Sequence, residues 1–135
     1  MGFLEAIVVV YLRELYYPGG FKFPLELLPP WLMVIEITRE FSTLLMLFSV
    51  AWISGRNFLQ QLSVFLFLFG IWDIFYYVAL KIFLDWPGSF LTWDLLFLIP
   101  ITWLGPVLAP VICSVVMILT AFIFSGIILF VKRNR

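Results

Sequence analysis

Two groups of residues in this sequence have the types and spacing to do chemistry. Glu36, Arg39 and Glu40 fall one helical turn apart, and Thr43 extends the same side. Asp73 stands among Trp72, Tyr76 and Tyr77, and Asp94 is close enough in sequence to join it. Carboxyl groups in a low dielectric hold protons more tightly, so both groups are candidates for carrying protons or binding a cation. Each also has a plainer reading. Glu36 and Arg39 at i,i+3 make an ion pair that leaves Glu40 over. Asp73 accepts hydrogen bonds from Tyr or Trp donors on a neighbouring helix. Asp94 falls in the first turns of a predicted helix, where an acid suits the helix dipole.

The element that must position Asp73 is Phe58 to Leu84, FLQQLSVFLFLFGIWDIFYYVALKIFL. Its 27 residues run ~40 Å as a helix, enough to cross a hydrocarbon layer of ~30 Å with some tilt. Ser63, Gly70, Asp73, Tyr77 and Lys81 share one stripe of that helix. Composition agrees with a lipid solvent. The chain has 135 residues, 64% hydrophobic and 12% charged, where a soluble domain carries about a quarter charged.

Four membrane helices are predicted in an all-α integral membrane bundle, which forms a single domain. Residues 31–54 follow Pro29-Pro30 and stop at Gly55-Arg56-Asn57, which makes an antiparallel hairpin with residues 58–84. Residues 90–104 span only ~22 Å as a helix and contain Pro100, so they are expected as a short third span or a re-entrant half-helix. Residues 107–131 are charge-free and end in Lys132-Arg133-Asn134-Arg135. Residues 2–17 are too interrupted by charge to span, and are expected as an interfacial or docked helix. Phe21 to Pro30 is expected as an extended connector because of its three prolines. Small residues mark the expected contact faces: Ala51 with Gly55, then Gly70, then Ser114 with Ala121 and Ser125. If 90–104 spans, Arg13, Lys22, Lys81, Lys132, Arg133 and Arg135 share one side against Arg56 alone. That asymmetry puts both termini in the cytoplasm.

Several function classes are excluded by content alone. The chain has no histidine and one cysteine, which removes histidine-ligated haem, cysteine–histidine zinc sites, iron–sulfur clusters and an intrachain disulfide. A serine– or cysteine–histidine nucleophile pair is absent for the same reason. Basic residues are too scattered for a nucleic-acid face. The six tryptophans fit an aromatic belt, and the 16 phenylalanines fit lipid-facing surface better than a pigment or quinone site. The N-terminal run MGFLEA lacks the features of a signal peptide or a myristoylation site and is expected to be retained.

The runs TREFSTLLMLFSVAWISG, FGIWDIFYYV and TWDLLFLIPITWLGPVLAP resemble a family of small bacterial integral membrane proteins, over roughly Glu36 to Pro110. The resemblance implies a bacterial membrane setting and no activity. From the residues themselves, the expected role is a non-enzymatic accessory or structural subunit of a larger membrane complex, multi-pass in the plasma (inner) membrane. It needs no cofactor or metal, and its partners are the bilayer and other integral membrane subunits. A bound lipid or quinone is left open. The alternative is a small proton- or cation-conducting carrier or channel that uses Glu36, Glu40 and Asp73.

Overall fold

A computed structural model describes residues 1–19 and 29–134. Its elements are helix α1 (Gly2–Tyr16), α2 (Pro30–Ser54), α3 (Phe58–Leu84), strands β1 (Trp93–Phe97) and β2 (Trp103–Pro106), and α4 (Leu108–Arg133). The connector expected over Phe21 to Pro30 lies almost wholly outside the described residues.

Local chemistry sets the helix ends. Pro30 occupies the first turn of α2, where a missing N–H costs nothing. The Asn57 side chain caps α3 by accepting from the Gln60 N–H at 3.0 Å. Asp85 closes α3 with φ 50°, a left-handed conformation that aspartate tolerates better than most residues. Lys132 and Arg133 lie in the last turn of α4, opposite the negative end of its dipole.

The stretch 90–104 is not a helix. It forms an antiparallel hairpin in which Trp93 faces Pro106, Asp94 faces Gly105 and Leu95 faces Leu104, with an irregularity before Phe97 pairs with Trp103. Its apolar run is too short to tell strand from helix by periodicity. Pro100 then sits in the turn between the strands, where a missing N–H is harmless. The hairpin continues into its neighbours through Val107 N–H to Thr92 O at 2.9 Å and Leu108 N–H to Phe90 O at 2.8 Å. The start of α4 is thereby tied to the loop after α3.

Helix α3 is central, with α1, α2 and α4 each packed on it. Its contact with α4 is close because of Gly70, where a Cβ would lie 2.7 Å from the Ser114 carbonyl and 2.8 Å from Ile118 Cγ1. Below it, the Ser63 hydroxyl donates to Ala121 O at 2.8 Å and meets Ser125 Oγ at 2.9 Å. Gly70→Ala is expected to lower stability by about 1–3 kcal/mol, since backbone as well as side chain must move. Gly126→Ala on α4, where an added Cβ meets nothing within 4 Å, is the matched control. Helix propensity alone predicts a gain there of up to about 1 kcal/mol. Thermal unfolding of both variants in detergent checks the pair.

Two helices, α3 and α4, are long and apolar enough to cross a membrane. The expected four are not found, because 90–104 is a hairpin and α2 carries Glu36, Arg39 and Glu40 within its 25 residues. The distribution of side chains is the reverse of a soluble domain. Glu36, Thr43, Asp73, Asp94 and Ser114 are buried, while Phe122, Ile123, Leu129 and Phe130 are each more than 60% exposed.

Candidate functional site

Glu36, Arg39, Glu40, Asp73, Tyr77 and Asp94 come from three different elements, yet all line one cavity of about 110 Å³. The two groups that the sequence keeps apart are therefore one site. The short Gly55-Arg56-Asn57 turn makes this possible. It folds α2 back along α3 and sets the charged half of α2 beside Trp72, Asp73 and Tyr76.

Arg39 is the main counter-charge. It donates to Glu36 Oε2 through Nη2 at 2.8 Å and Nε at 3.0 Å, and it also pairs with Glu5 on α1. The Thr43 hydroxyl donates to the other oxygen of Glu5. Arg13, also on α1, reaches Asp94 Oδ1 at 3.4 Å and stacks over Trp86 with its guanidinium carbon 3.9 Å from the ring centre. The Tyr77 hydroxyl donates to Asp94 Oδ2 at 3.3 Å.

Glu40 and Asp73 are held differently. Glu40 accepts the backbone N–H groups of Leu98 and Ile99, each at 3.1 Å, and so fastens the turn of the hairpin to α2. Asp73 accepts from the Ser114 hydroxyl on α4 at 2.7 Å. Among the described residues no ion pair reaches either carboxylate. Among the described residues, five acids (Glu5, Glu36, Glu40, Asp73 and Asp94) thus face two guanidiniums (Arg13 and Arg39) around the cavity. The Trp72 indole N–H is buried at its edge with no hydrogen-bond acceptor among the described residues.

The cavity runs from Glu5 and Asp73 out to Tyr17 and Met33, near the end of α1 and the start of α2. Toward the opposite end of α3, Phe65, Phe69, Trp72 and Phe97 form a chain of ring contacts with centroids 5.3–6.4 Å apart. Trp72 and Phe97 of that layer also line the cavity. No three acids converge as a set of metal ligands among the described residues.

Glu5 and Arg13 were not legible as site residues. They read only as charges that keep residues 2–17 from spanning and leave them an interfacial or docked helix. Their one signal is the spacing Glu5, Val9, Arg13, which keeps them near one face. The small residues lie away from the cavity. Ser114 and Ala121 face α3, Ser125 sits at the margin of that contact, and Ala51 and Gly55 close the α2–α3 turn. Comparison with protein families, curated proteins and solved structures finds no match to this chain.

Proposed function

We propose that this chain is a small multi-pass membrane protein that takes up and releases protons at Glu40 and Asp73. The observation that carries the reading is the surplus of carboxylates over guanidiniums among the described residues that line one cavity. Among the described residues Arg39 pairs with Glu5 and Glu36 and Arg13 with Asp94, so Asp73 has no ion pair and Glu40 has only a share of the Arg39 charge. Asp73 is two residues from the middle of α3, within about 3 Å of mid-membrane if that helix crosses. A carboxylate there is stable only when protonated or paired. A proton suits the site better than a metal ion because Glu40 and Asp73 each have their own hydrogen-bond donors and the described residues form no shared set of metal ligands.

In this reading α2 is the third crossing helix. It is tied to α3 by a three-residue turn and packs along it, so its charged half shares the depth of Trp72 to Tyr76. The hairpin enters from the end of α3 and reaches the level of Phe69. Its turn amides meet Glu40 there rather than lipid, the condition under which non-helical backbone is tolerated in a membrane. With a hairpin in place of a third span, Arg56, Lys132 and Arg133 lie on one side against Arg13 and Lys81 on the other. On this reading the α2–α3 turn and the end of α4 face the cytoplasm.

Purified chain in sealed liposomes with a pH gradient is expected to dissipate that gradient faster than empty liposomes. A flux equal to that of empty vesicles rejects the proposal. The accessory-subunit reading is second. It drew on embedded polar groups that need outside partners and on the face of Ser114, Ala121 and Ser125. Here those groups find partners on α1, α3, α4 and the hairpin. Its remaining support is the wide apolar outer face of α4, which a partner helix or lipid covers equally well.

A further inference from the structure

A second cavity, of about 500 Å³, adjoins the polar site and shares with it only Tyr77 among the described lining residues. Ile74 and Val78 of α3 form one wall, Val107 and Val111 at the start of α4 the other, and Phe90 covers the end. Lys81 is the only charged residue in its lining. Positions 74, 78 and 81 fall on one face of α3, so the groove runs along the helix axis. Residue 81 is ten positions from the middle of α3, or ~15 Å along the axis, which is the half-thickness of a hydrocarbon layer. The groove is therefore apolar through the depth of acyl chains and becomes charged where headgroups begin.

The geometry points to a phospholipid as the occupant, with one acyl chain between α3 and α4 and its phosphate on Lys81. The charge pattern at the mouth narrows the class. Lys81 Nζ lies 2.7 Å from Asp85 Oδ1, makes long contacts to Asp85 O at 3.4 Å and Pro87 O at 3.3 Å that a phosphate would replace, and is half exposed, while the Asp85 side chain is 91% exposed. A cation and an anion side by side complement a headgroup that carries both a phosphate and a primary ammonium. A purely anionic headgroup meets repulsion from Asp85, and a trimethylammonium has no N–H to donate to it. The inference rests on α3 crossing the bilayer and not on proton handling.

The test mixes the full chain, purified in mild detergent, with equal amounts of phosphatidylethanolamine, phosphatidylcholine and phosphatidylglycerol. Retained lipid is read by native mass spectrometry. One phosphatidylethanolamine per chain is expected, held about fivefold over phosphatidylcholine, or ~1 kcal/mol. Lys81→Gln should lower retention of all three lipids. Asp85→Asn should erase the preference for the primary ammonium and raise phosphatidylglycerol. Val111→Phe should fill the groove and expel the lipid, whereas Val116→Phe on the exposed face of α4 should not. Lys81 and Asp85 are exposed, so their variants stay informative if Val111→Phe fails to fold. Equal, unselective retention by all variants overturns the assignment, as does a wild-type preference for phosphatidylglycerol. A chain that fails to float with lipid vesicles overturns the membrane placement itself, which separates the two failures.

Discussion

Asp73→Asn is expected to abolish proton flux through the reconstituted chain while leaving the fold intact. Asparagine keeps the shape and still accepts the Ser114 hydroxyl, which donates to Asp73 at 2.7 Å. What it loses is the ability to gain and release a proton. Glu40→Gln should do the same to flux at some cost in stability, because its carboxylate holds two backbone N–H groups of the hairpin turn. A glutamine oxygen serves those amides without the charge, and charged hydrogen bonds are worth about 1 kcal/mol more than neutral ones. Pyranine-loaded liposomes measure the flux, and circular dichroism with thermal melts measures the fold. Flux that survives both substitutions removes these carboxyls from any proton path. Loss of yield and assembly in step with loss of flux makes them structural.

The second large effect is expected at Arg39. Replacing it with Met leaves Glu5 and Glu36 buried without their counter-charge, and breaking a buried ion pair in this way costs about 3–5 kcal/mol. The side chain of Arg39 is 25% exposed, so the lower end of that range applies. Glu5 is the contact that holds α1 against α2, so proteolysis of α1 should accelerate in Arg39→Met. Adding Glu5→Gln and Glu36→Gln should restore most of the stability, because neutral groups of the same shape remove the uncompensated charge. If the triple variant melts as low as the single one, the guanidinium contributes through packing and not through charge.

The helices were legible because their ends are written in local residues. Pro29-Pro30 opens α2, Gly55-Arg56-Asn57 separates it from α3, and an unbroken apolar run ending in Lys132-Arg133 gives α4. The hairpin was not legible. Trp93 to Phe97 is a short apolar stretch whose pairing partner, Trp103 to Pro106, is chosen by a bulge and by contacts to residues 90 and 92. Nothing in the local pattern sets that register. For the site, Glu36 to Arg39 could be paired from spacing alone, whereas the merging of Glu40, Asp73 and Asp94 depends on how the hairpin and α1 dock on α3. Long-range docking of that kind leaves almost no trace in a single sequence.

The dependence of α2 on its neighbours bears on how the protein is made. Arg39 and Glu40 sit near the middle of α2, and insertion of a charged residue at a helix centre costs about 3 kcal/mol each. Arg39 meets Glu5, which leaves the ribosome earlier, but Glu40 meets the amides of residues 98 and 99, which emerge nearly sixty residues later. If α2 crosses the bilayer as proposed, it has no reason to leave the membrane surface during synthesis until the chain beyond residue 99 is available. Truncating the nascent chain before that point should leave α2 in the aqueous phase, open to labelling at an engineered cysteine, and extending it past α4 should hide the same position.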